Sequence, residues 1–490
     1  TVSVLYWSTT MMRRHASMAR AAAGRSIAAW GLHPNMDADM SDETHFPARA
    51  EAVPAPVRVS KLPNGARVIT HDLKGPHVAV GAYLDAGAKY DPATAPGLSY
   101  VMRWALSSSN MDNSIFQQDR LMRAHGAARE HTEVRKRFIG LKMETMAGGH
   151  WQNIAHDIFT SVSAPRMPEW DVERFRDTFD NLLEEMRWND PRTYCVDQVE
   201  TVAYFREPLG NPRHVAPEMN AAASHAALIQ QWAALCSPSR VVIAGVNIDH
   251  DALVAAYENA PFPHSAEAPH HKNAQKQLPT VDERNQYHGG ERVELEDRAN
   301  AMKTKPDMDK EGIVAIAFPT FGAETNPKGF AAALVARELL AASLGESVAI
   351  NQEPTHFGVE SFYRPYAGSG LIGATIRDEP GAVQAHTLDA AAAVKGLATT
   401  PAALDAAKAR AIARFANDHL DVARDYVDFL GTSLIGESLH RYSPDETFAN
   451  VAAVDASAIK AMTDGFKTVR PSMFATGDVA TLPSLRQMGL

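Results

Sequence analysis

The feature that most constrains the fold of this chain is a strand–turn–helix pattern that occurs twice at one fixed offset. The first copy is HVAVGAYLDAGAKYDPATAPGLSYVMRWALSSSN, and the second is GIVAIAFPTFGAETNPKGFAAALVARELLAASLG. Tyr83 aligns with Phe318, and Gly87-Ala88 aligns with Gly322-Ala323, which is an offset of 235 residues in each case. Each copy predicts an apolar strand, a polar turn and a long apolar helix. An equal offset through all three elements indicates a duplicated domain.

The length of the chain agrees with two α/β domains. Its 490 residues exceed one ordinary hydrophobic core and predict two domains of about 200 residues each. We place a basic N-terminal arm and an acidic linker in 1–56, the first domain in 57–261, an interdomain linker in 262–290 and the second domain in 291–490. The interdomain linker is assigned from its polar composition and its prolines, which interrupt the apolar periodicity.

Local patterns predict individual elements within each half. The segment VRVSKLPNGARVITHD predicts a β-hairpin that turns at Asn64-Gly65. A buried strand is predicted in PSRVVIAGVNID. In the second half, one long helix is predicted near 401–430, with Thr400 as its N-cap and Pro401 in its first turn.

Composition and charge exclude several classes of protein. The formal net charge of −10 argues against nucleic acid as a partner. No apolar run reaches 18 residues, so the sequence predicts membrane association only through partners. The two cysteines, Cys195 and Cys236, form no CxxC motif, which is typical of a reducing compartment and excludes a cysteine-rich zinc module.

The first 36 residues differ in character from the rest of the chain. They contain Arg13, Arg14, Arg20 and Arg25, many Ala and Ser residues, and no acidic residue before Asp37. This composition resembles a mitochondrial targeting segment. Two alternatives stay open, a disordered basic arm and an arm that docks on another protein.

The sequence carries no recognisable catalytic motif. It has no HExxH, HxxEH, GxSxG or GxxxxGK[ST]. No two of its 20 histidines are three or four residues apart, so no pair shares a helix face as zinc ligands would. We interpret His270-His271 as solvated linker residues and Glu184-Glu185 as an exposed helix patch. These patterns favour a non-catalytic protein over an enzyme.

Several stretches follow one another in an order and spacing that resemble a known family. They include LPNGARV, GAYLDAGAKYD, GLSYVMRWA, DVERFRDTFDNLLEEM, YFREPLGNPRHVAPE, SPSRVVIAGVNIDHDAL, YHGGERVE and YAGSGLIGATI. Over residues 57–480 they resemble the mitochondrial processing peptidase family, which includes the core subunits of ubiquinol–cytochrome c reductase (respiratory complex III). YHGGE and GSGL look most like the α-type peptidase subunit and the second core protein. The resemblance implies an α+β fold, with two homologous α/β domains that each pack a mainly antiparallel sheet against helices, in a duplicated metallopeptidase-like arrangement.

The resemblance also implies the place of a lost zinc site. In the active β-type subunit of this family, an HxxEH motif supplies two zinc-binding histidines and a glutamate that activates water, and a more distant glutamate completes the site. These positions fall on Tyr100, Arg103, Trp104 and, as the best match for the distant glutamate, Leu182. A phenol, a guanidinium and an indole cannot assemble that site. The sequence therefore predicts an inactive metallopeptidase homologue with no metal and no cofactor.

A second family feature is a glycine-rich loop by which the α-type subunit helps to hold presequences. The equivalent segment here is LGESVAINQEPTHFG, in which only Gly345 and Gly358 are glycine and Pro354 stiffens the chain. The small number of glycines in this segment argues against presequence binding and favours a core subunit.

Two functional hypotheses follow from the resemblance. The first is a structural core subunit of the core protein 2 type in complex III, peripheral on the matrix side of the mitochondrial inner membrane. Its partners would be a β-type core subunit, cytochrome b, cytochrome c1 and the Rieske protein. The second is the α-type, presequence-binding subunit of the processing peptidase, and one complex could combine both roles. A third interpretation, an α/β protein with coincidental similarity, predicts no relation between the two halves.

Overall fold

A computed structural model of the chain describes residues 55–131, 135–146, 151–261, 285–296, 310–345, 358–435 and 444–490. These residues all lie in one unit of the chain, Pro54–Leu490. The predicted basic arm, most of the predicted interdomain linker including His270-His271, and the segment 346–357 lie outside the described residues.

The first half of the chain contains six strands and seven α-helices in the described residues. In chain order they are β1 (Arg58–Lys61), β2 (Arg67–His71), β3 (His77–Leu84), α1 (Leu98–Leu106), α2 (Ile115–Ala124), β4 (Ala128–His131), β5 (Ile139–Met146), α3 (Trp151–Ser163), α4 (Glu169–Asn189), α5 (Pro191–Ala203), α6 (His225–Leu235), β6 (Val241–Val246) and α7 (His250–Glu258).

The second half contains five strands and six α-helices in the described residues. They are β7 (Gly290–Leu295), β8 (Gly312–Phe321), α8 (Pro327–Ser343), β9 (Gly358–Pro365), β10 (Ser369–Asp378), α9 (Pro380–Lys395), α10 (Pro401–His419), α11 (Ala423–Ile435), α12 (Pro444–Ala452), α13 (Ala456–Phe466) and β11 (Ser472–Gly477).

The two sheets have the same connectivity. The first sheet has the order β1-β2-β6-β3-β5-β4, and the second has the order β7-β11-β8-β10-β9. In each sheet one pair is parallel, β2 with β6 and β7 with β11, and the remaining pairs are antiparallel. The first sheet differs only by the extra strand β1, which forms the predicted hairpin with β2. The predicted α+β class, with two mainly antiparallel sheets, is confirmed.

Strand β3 explains why the central strands read as continuous apolar runs. Alternate residues of a strand point to opposite faces. Val80 and Leu84 belong to a core beneath the helices of the first half, whereas Ala79 and Tyr83 belong to a second core on the other face. Both faces of the strand are therefore buried, and no polar alternation remains.

Each sheet is covered on one face by a helix from the other half. Helix α5, from the first half, packs on the second sheet, and Tyr194 makes an edge contact with Phe474 at 5.8 Å between ring centroids. Helix α11, from the second half, packs on the first sheet, with Val427 and Leu430 in one core with Tyr83. The two halves thereby complete each other's hydrophobic cores.

The prediction of one helix near 401–430 is wrong, because this segment forms two helices. Helix α10 ends at His419 and α11 begins at Ala423. Helix α10 packs against α8 in the second half, whereas α11 lies on the first sheet, and one straight helix cannot do both. The predicted cap is confirmed, because the Thr400 hydroxyl accepts a hydrogen bond from the Ala403 N–H.

Candidate functional site

The start of helix α1 is fixed by a buried carboxylate. Gly97 adopts a left-handed conformation with φ of 84°, and an added Cβ would lie 2.7 Å from the His214 carbonyl oxygen. The Asp91 carboxylate accepts hydrogen bonds from the N–H groups of Gly97 and Ser99, from the Ser99 hydroxyl and from the Gln231 amide. Burial raises the pKa of Asp91 to about 7, although these donated bonds oppose the shift. Asp91 therefore positions α1.

Helix α1 brings Tyr100, Arg103 and Trp104 together on one side. Residues three and four apart on a helix are neighbours. The Tyr100 ring is buried and contacts Phe179 and His214, with ring centroids at 5.2 and 4.9 Å. The Arg103 guanidinium lies over the Tyr100 ring at 4.9 Å and over the Trp104 ring at 5.5 Å.

Leu182, the predicted counterpart of the distant glutamate, lies on α4, the helix that packs against α1. It is half-buried against the same core, as is Phe175 two turns earlier, and Phe179 one turn earlier is buried. The Phe175 ring faces Trp104 at 6.0 Å between centroids. The helix that would carry a metal-binding carboxylate thus presents an apolar face to α1.

The residues at these positions do not fit zinc. Zinc in proteins takes cysteine sulfur, histidine nitrogen and carboxylate oxygen, whereas this place holds Tyr100, Arg103, Trp104 and Leu182. Within the described ranges, no three His, Cys, Asp or Glu side chains are close enough to hold a metal ion together. The Arg103 guanidinium would also repel the cation.

A cavity of about 110 Å³ lies beside Tyr100 and Arg103. It is lined by side chains from α1, α4, α5, the segment after α5 and β9, and so from both halves of the chain. The lining residues are Tyr100, Arg103, Met186, Thr193, Asp197, Arg213, His214 and Arg364.

A buried ion network supports one wall of this cavity. Glu200 on α5 is fully buried and accepts two hydrogen bonds from Arg213, at 3.1 and 2.6 Å, and its carboxylate lies 3.1 Å from the Lys136 ammonium. Burial alone raises the pKa of Glu200, but Arg213 and Lys136 outweigh it and hold the pKa below its ordinary value. Asp197 lies near Arg213 and His214, at 3.7 and 3.8 Å.

Sequence reasoning missed this network. Lys136, Glu200 and Arg213 are far apart in sequence and follow no periodic pattern. The available signals were the segments AHGAAREHTEVRKRFIGLKM and YFREPLGNPRHVAPE, which contain Lys136 and Arg213 and served only to support the family resemblance.

The remaining predicted residues lie elsewhere. Glu184 is half-buried and accepts hydrogen bonds from Arg187 and from the Trp188 indole, whereas Glu185 is exposed. Gly345 and Gly358 flank the segment 346–357, and both have positive φ.

Comparison with known proteins finds relatives of the chain at low identity. The mitochondrial-processing peptidase subunit alpha-2 of Dictyostelium discoideum is 20% identical over 449 residues, which cover 88% of this chain and 94% of that protein. Cytochrome b-c1 complex subunit 2 of Rattus norvegicus is 22% identical and covers 91% and 95%. The ubiquinol-cytochrome-c reductase complex core protein 2 of Euglena gracilis is 24% identical and covers 59% of each chain. No protein-family model matches the chain.

The duplicated sheets and their shared helices define a metallopeptidase-like α+β fold. Over most of its length the chain is similar to an α-type subunit of the mitochondrial processing peptidase and to subunit 2 of the cytochrome b-c1 complex. This confirms the family predicted from the sequence. The names of these three relatives describe mitochondrial proteins. None of the helices in the described residues has both the length and the apolar character that a bilayer span requires.

Proposed function

We propose that this chain is a non-catalytic core subunit, of the core protein 2 type, in mitochondrial ubiquinol–cytochrome c reductase. In this proposal it lies on the matrix side of the inner membrane and is held there by partners. The partners are a β-type core subunit, cytochrome b, cytochrome c1 and the Rieske protein. Its role is structural, in assembly and support of a respiratory complex.

The observation that carries this proposal is the chemistry of the side chains that the family resemblance places at a zinc site. This resemblance aligns Tyr100, Arg103 and Trp104 with the zinc motif and Leu182 with the distant glutamate, and these residues do not fit zinc. Arg213 and Arg364 line the adjacent cavity and add positive charge. A site of this kind supports a role in assembly rather than in hydrolysis.

The proposal predicts that the chain migrates on native gels together with the haem-containing cytochromes. We expect an affinity-tagged chain in mitochondrial membranes solubilised with mild detergent to run on native gels in a band that stains for the haem of cytochromes b and c1. The purified band should contain the Rieske protein in equal amount. A chain found only in a soluble, haem-free fraction would contradict the proposal.

A second candidate is the α-type, presequence-binding subunit of a processing peptidase, alone or combined with the first role in one complex. The match that covers 94% of the Dictyostelium discoideum α-2 subunit favours it. The sparse glycine between Gly345 and Gly358 opposes it, because a backbone cradle needs conformational freedom.

Reconstitution separates the two candidates. We expect the chain mixed with its β-type partner to cleave a presequence peptide poorly, and deletion of 346–357 to change that rate little. Efficient cleavage that collapses on the deletion would instead establish the α-type role. The matched control is the β-type partner alone.

The same proposal includes the organisation of the chain. It assigns the arm 1–56 to import or docking, and it divides the remainder into an inactive peptidase-like domain over 57–261, a linker over 262–290 and a second peptidase-like domain over 291–490. The matching connectivity of the two sheets supports this division.

A further inference from the structure

We propose that the cavity beside Tyr100 is a binding site for a small tetrahedral oxyanion of the phosphate class. The site is distinct from zinc chemistry and from presequence binding, and it does not depend on the proposed role in complex III. One of its cations, Arg103, stands at a position that the family resemblance assigns to the zinc motif.

The charge of the cavity wall is the first argument. The lining includes the guanidinium groups of Arg103, Arg213 and Arg364 against the single carboxylate of Asp197. Behind this wall, the buried Lys136 ammonium pairs with the Glu200 carboxylate. Among these named side chains, four cations stand beside two carboxylates. Arginine is the side chain best suited to oxyanions, since its planar guanidinium donates two parallel hydrogen bonds.

Preorganisation of the donors is the second argument. Arg213 is held by two hydrogen bonds to Glu200, and the Arg103 guanidinium lies against the rings of Tyr100 and Trp104. Groups that are fixed before a ligand arrives lose little entropy on binding. The floor of the site is thus built by contacts that are already present in the fold.

Arg364 on β9 is the third argument. In the part of the chain that the structure describes, it makes no ion pair within 4.0 Å, although its positive charge helps to lower the pKa of Glu200. It is half-buried at the wall of the cavity. A half-buried guanidinium beside a polar cavity favours an anionic ligand, because the ligand supplies the missing counter-charge.

The size of the cavity sets the class of anion. A volume of about 110 Å³ is several times the ~30 Å³ that one water occupies in the liquid. The Thr193 and Tyr100 side chains in the lining also carry hydroxyl groups that can donate. A tetrahedral oxyanion fits this volume.

The test is a calorimetric titration of the full chain with inorganic phosphate at constant ionic strength, with chloride as the replaced anion. We expect saturable binding to the wild type and a dissociation constant at least about tenfold weaker in Arg364→Gln, because one charge-assisted donor is lost. Arg103→Gln should weaken binding in the same direction. The matched control is Arg486→Gln, which removes an exposed arginine far along the chain and should leave the affinity unchanged.

Two outcomes would overturn the inference. One is the absence of any heat of binding at millimolar phosphate in the wild type. The other is an equal affinity in wild type, Arg364→Gln and Arg486→Gln, which would place the anion on the general protein surface. Unchanged circular dichroism and thermal midpoint of each variant without phosphate establish that a lost affinity does not reflect misfolding.

Discussion

Glu200→Gln is expected to lower the free energy of unfolding by about 3–5 kcal/mol. The substitution keeps the shape of the side chain but removes the negative charge between Arg213 and Lys136. Both cations are buried, and breaking a buried ion pair from one side leaves uncompensated charge at about this cost. Since typical stabilities are about 5–15 kcal/mol, we expect a large fall in the thermal unfolding midpoint and in soluble yield.

The pH dependence of stability provides an independent check on Glu200. Its pKa in the folded chain lies below the ordinary value of 4.5. The ionised carboxylate therefore stabilises the fold above about pH 4.5, and this contribution is lost as the pH falls below that value. Glu200→Gln should remove this part of the acid dependence.

The control for Glu200 is Glu185→Gln, which removes an exposed carboxylate on α4. Surface substitutions of this kind change stability by about 0.5 kcal/mol or less. If the two variants unfolded at the same midpoint, the ion network would not hold α5 as described.

Gly431→Ala is expected to lower the free energy of unfolding by about 1–3 kcal/mol, although alanine favours helices. Gly431 lies in α11 against the first sheet, and an added Cβ would lie 2.3 Å from two ring carbons of Tyr83. The Tyr83 ring is fully buried, and its hydroxyl donates to Asp428 on the same helix. The ring cannot move aside, so the added methyl forces α11 away from the sheet. Chemical unfolding monitored by tryptophan fluorescence measures the loss.

Gly465→Ala is the matched control for this prediction. Gly465 lies in α13, and an added Cβ would meet no atom within 4 Å. The substitution then changes only the helix propensity, and we expect the free energy of unfolding to rise by up to about 1 kcal/mol. In a Tyr83→Ala background the cost of Gly431→Ala should shrink, because the clashing ring is gone. An unchanged cost in that background would contradict the contact.

Much of the fold was predictable because its signals are local. The hairpin at Asn64-Gly65 follows from turn chemistry, and the Thr400 cap follows from a side chain that satisfies its own helix. The duplication followed from an equal offset, which the matching order of the two sheets bears out. The helix near 401–430 was predicted too long because nothing in its apolar periodicity reveals that its first part packs on α8 and its last part on the first sheet.

The site was predictable only in part, for the same reason. The positions of Tyr100, Arg103 and Trp104 came from a motif on one helix, where residues three and four apart are neighbours. The partners around them, such as Phe179 and Arg364, come from other elements. No spacing rule connects residues so distant along the chain.

The sequence by itself determined the resemblance to a family and the duplicated α+β architecture, because each depends on local pattern. Only the tertiary structure decided that α5 and α11 each cover the sheet of the other half, and that Lys136, Glu200 and Arg213 form one buried network. These arrangements arise because each sheet has a second apolar face that its own half leaves uncovered. Burying that face brings α5 between the halves. This helix carries Asp197, which lines the cavity, and Glu200, which supports its wall.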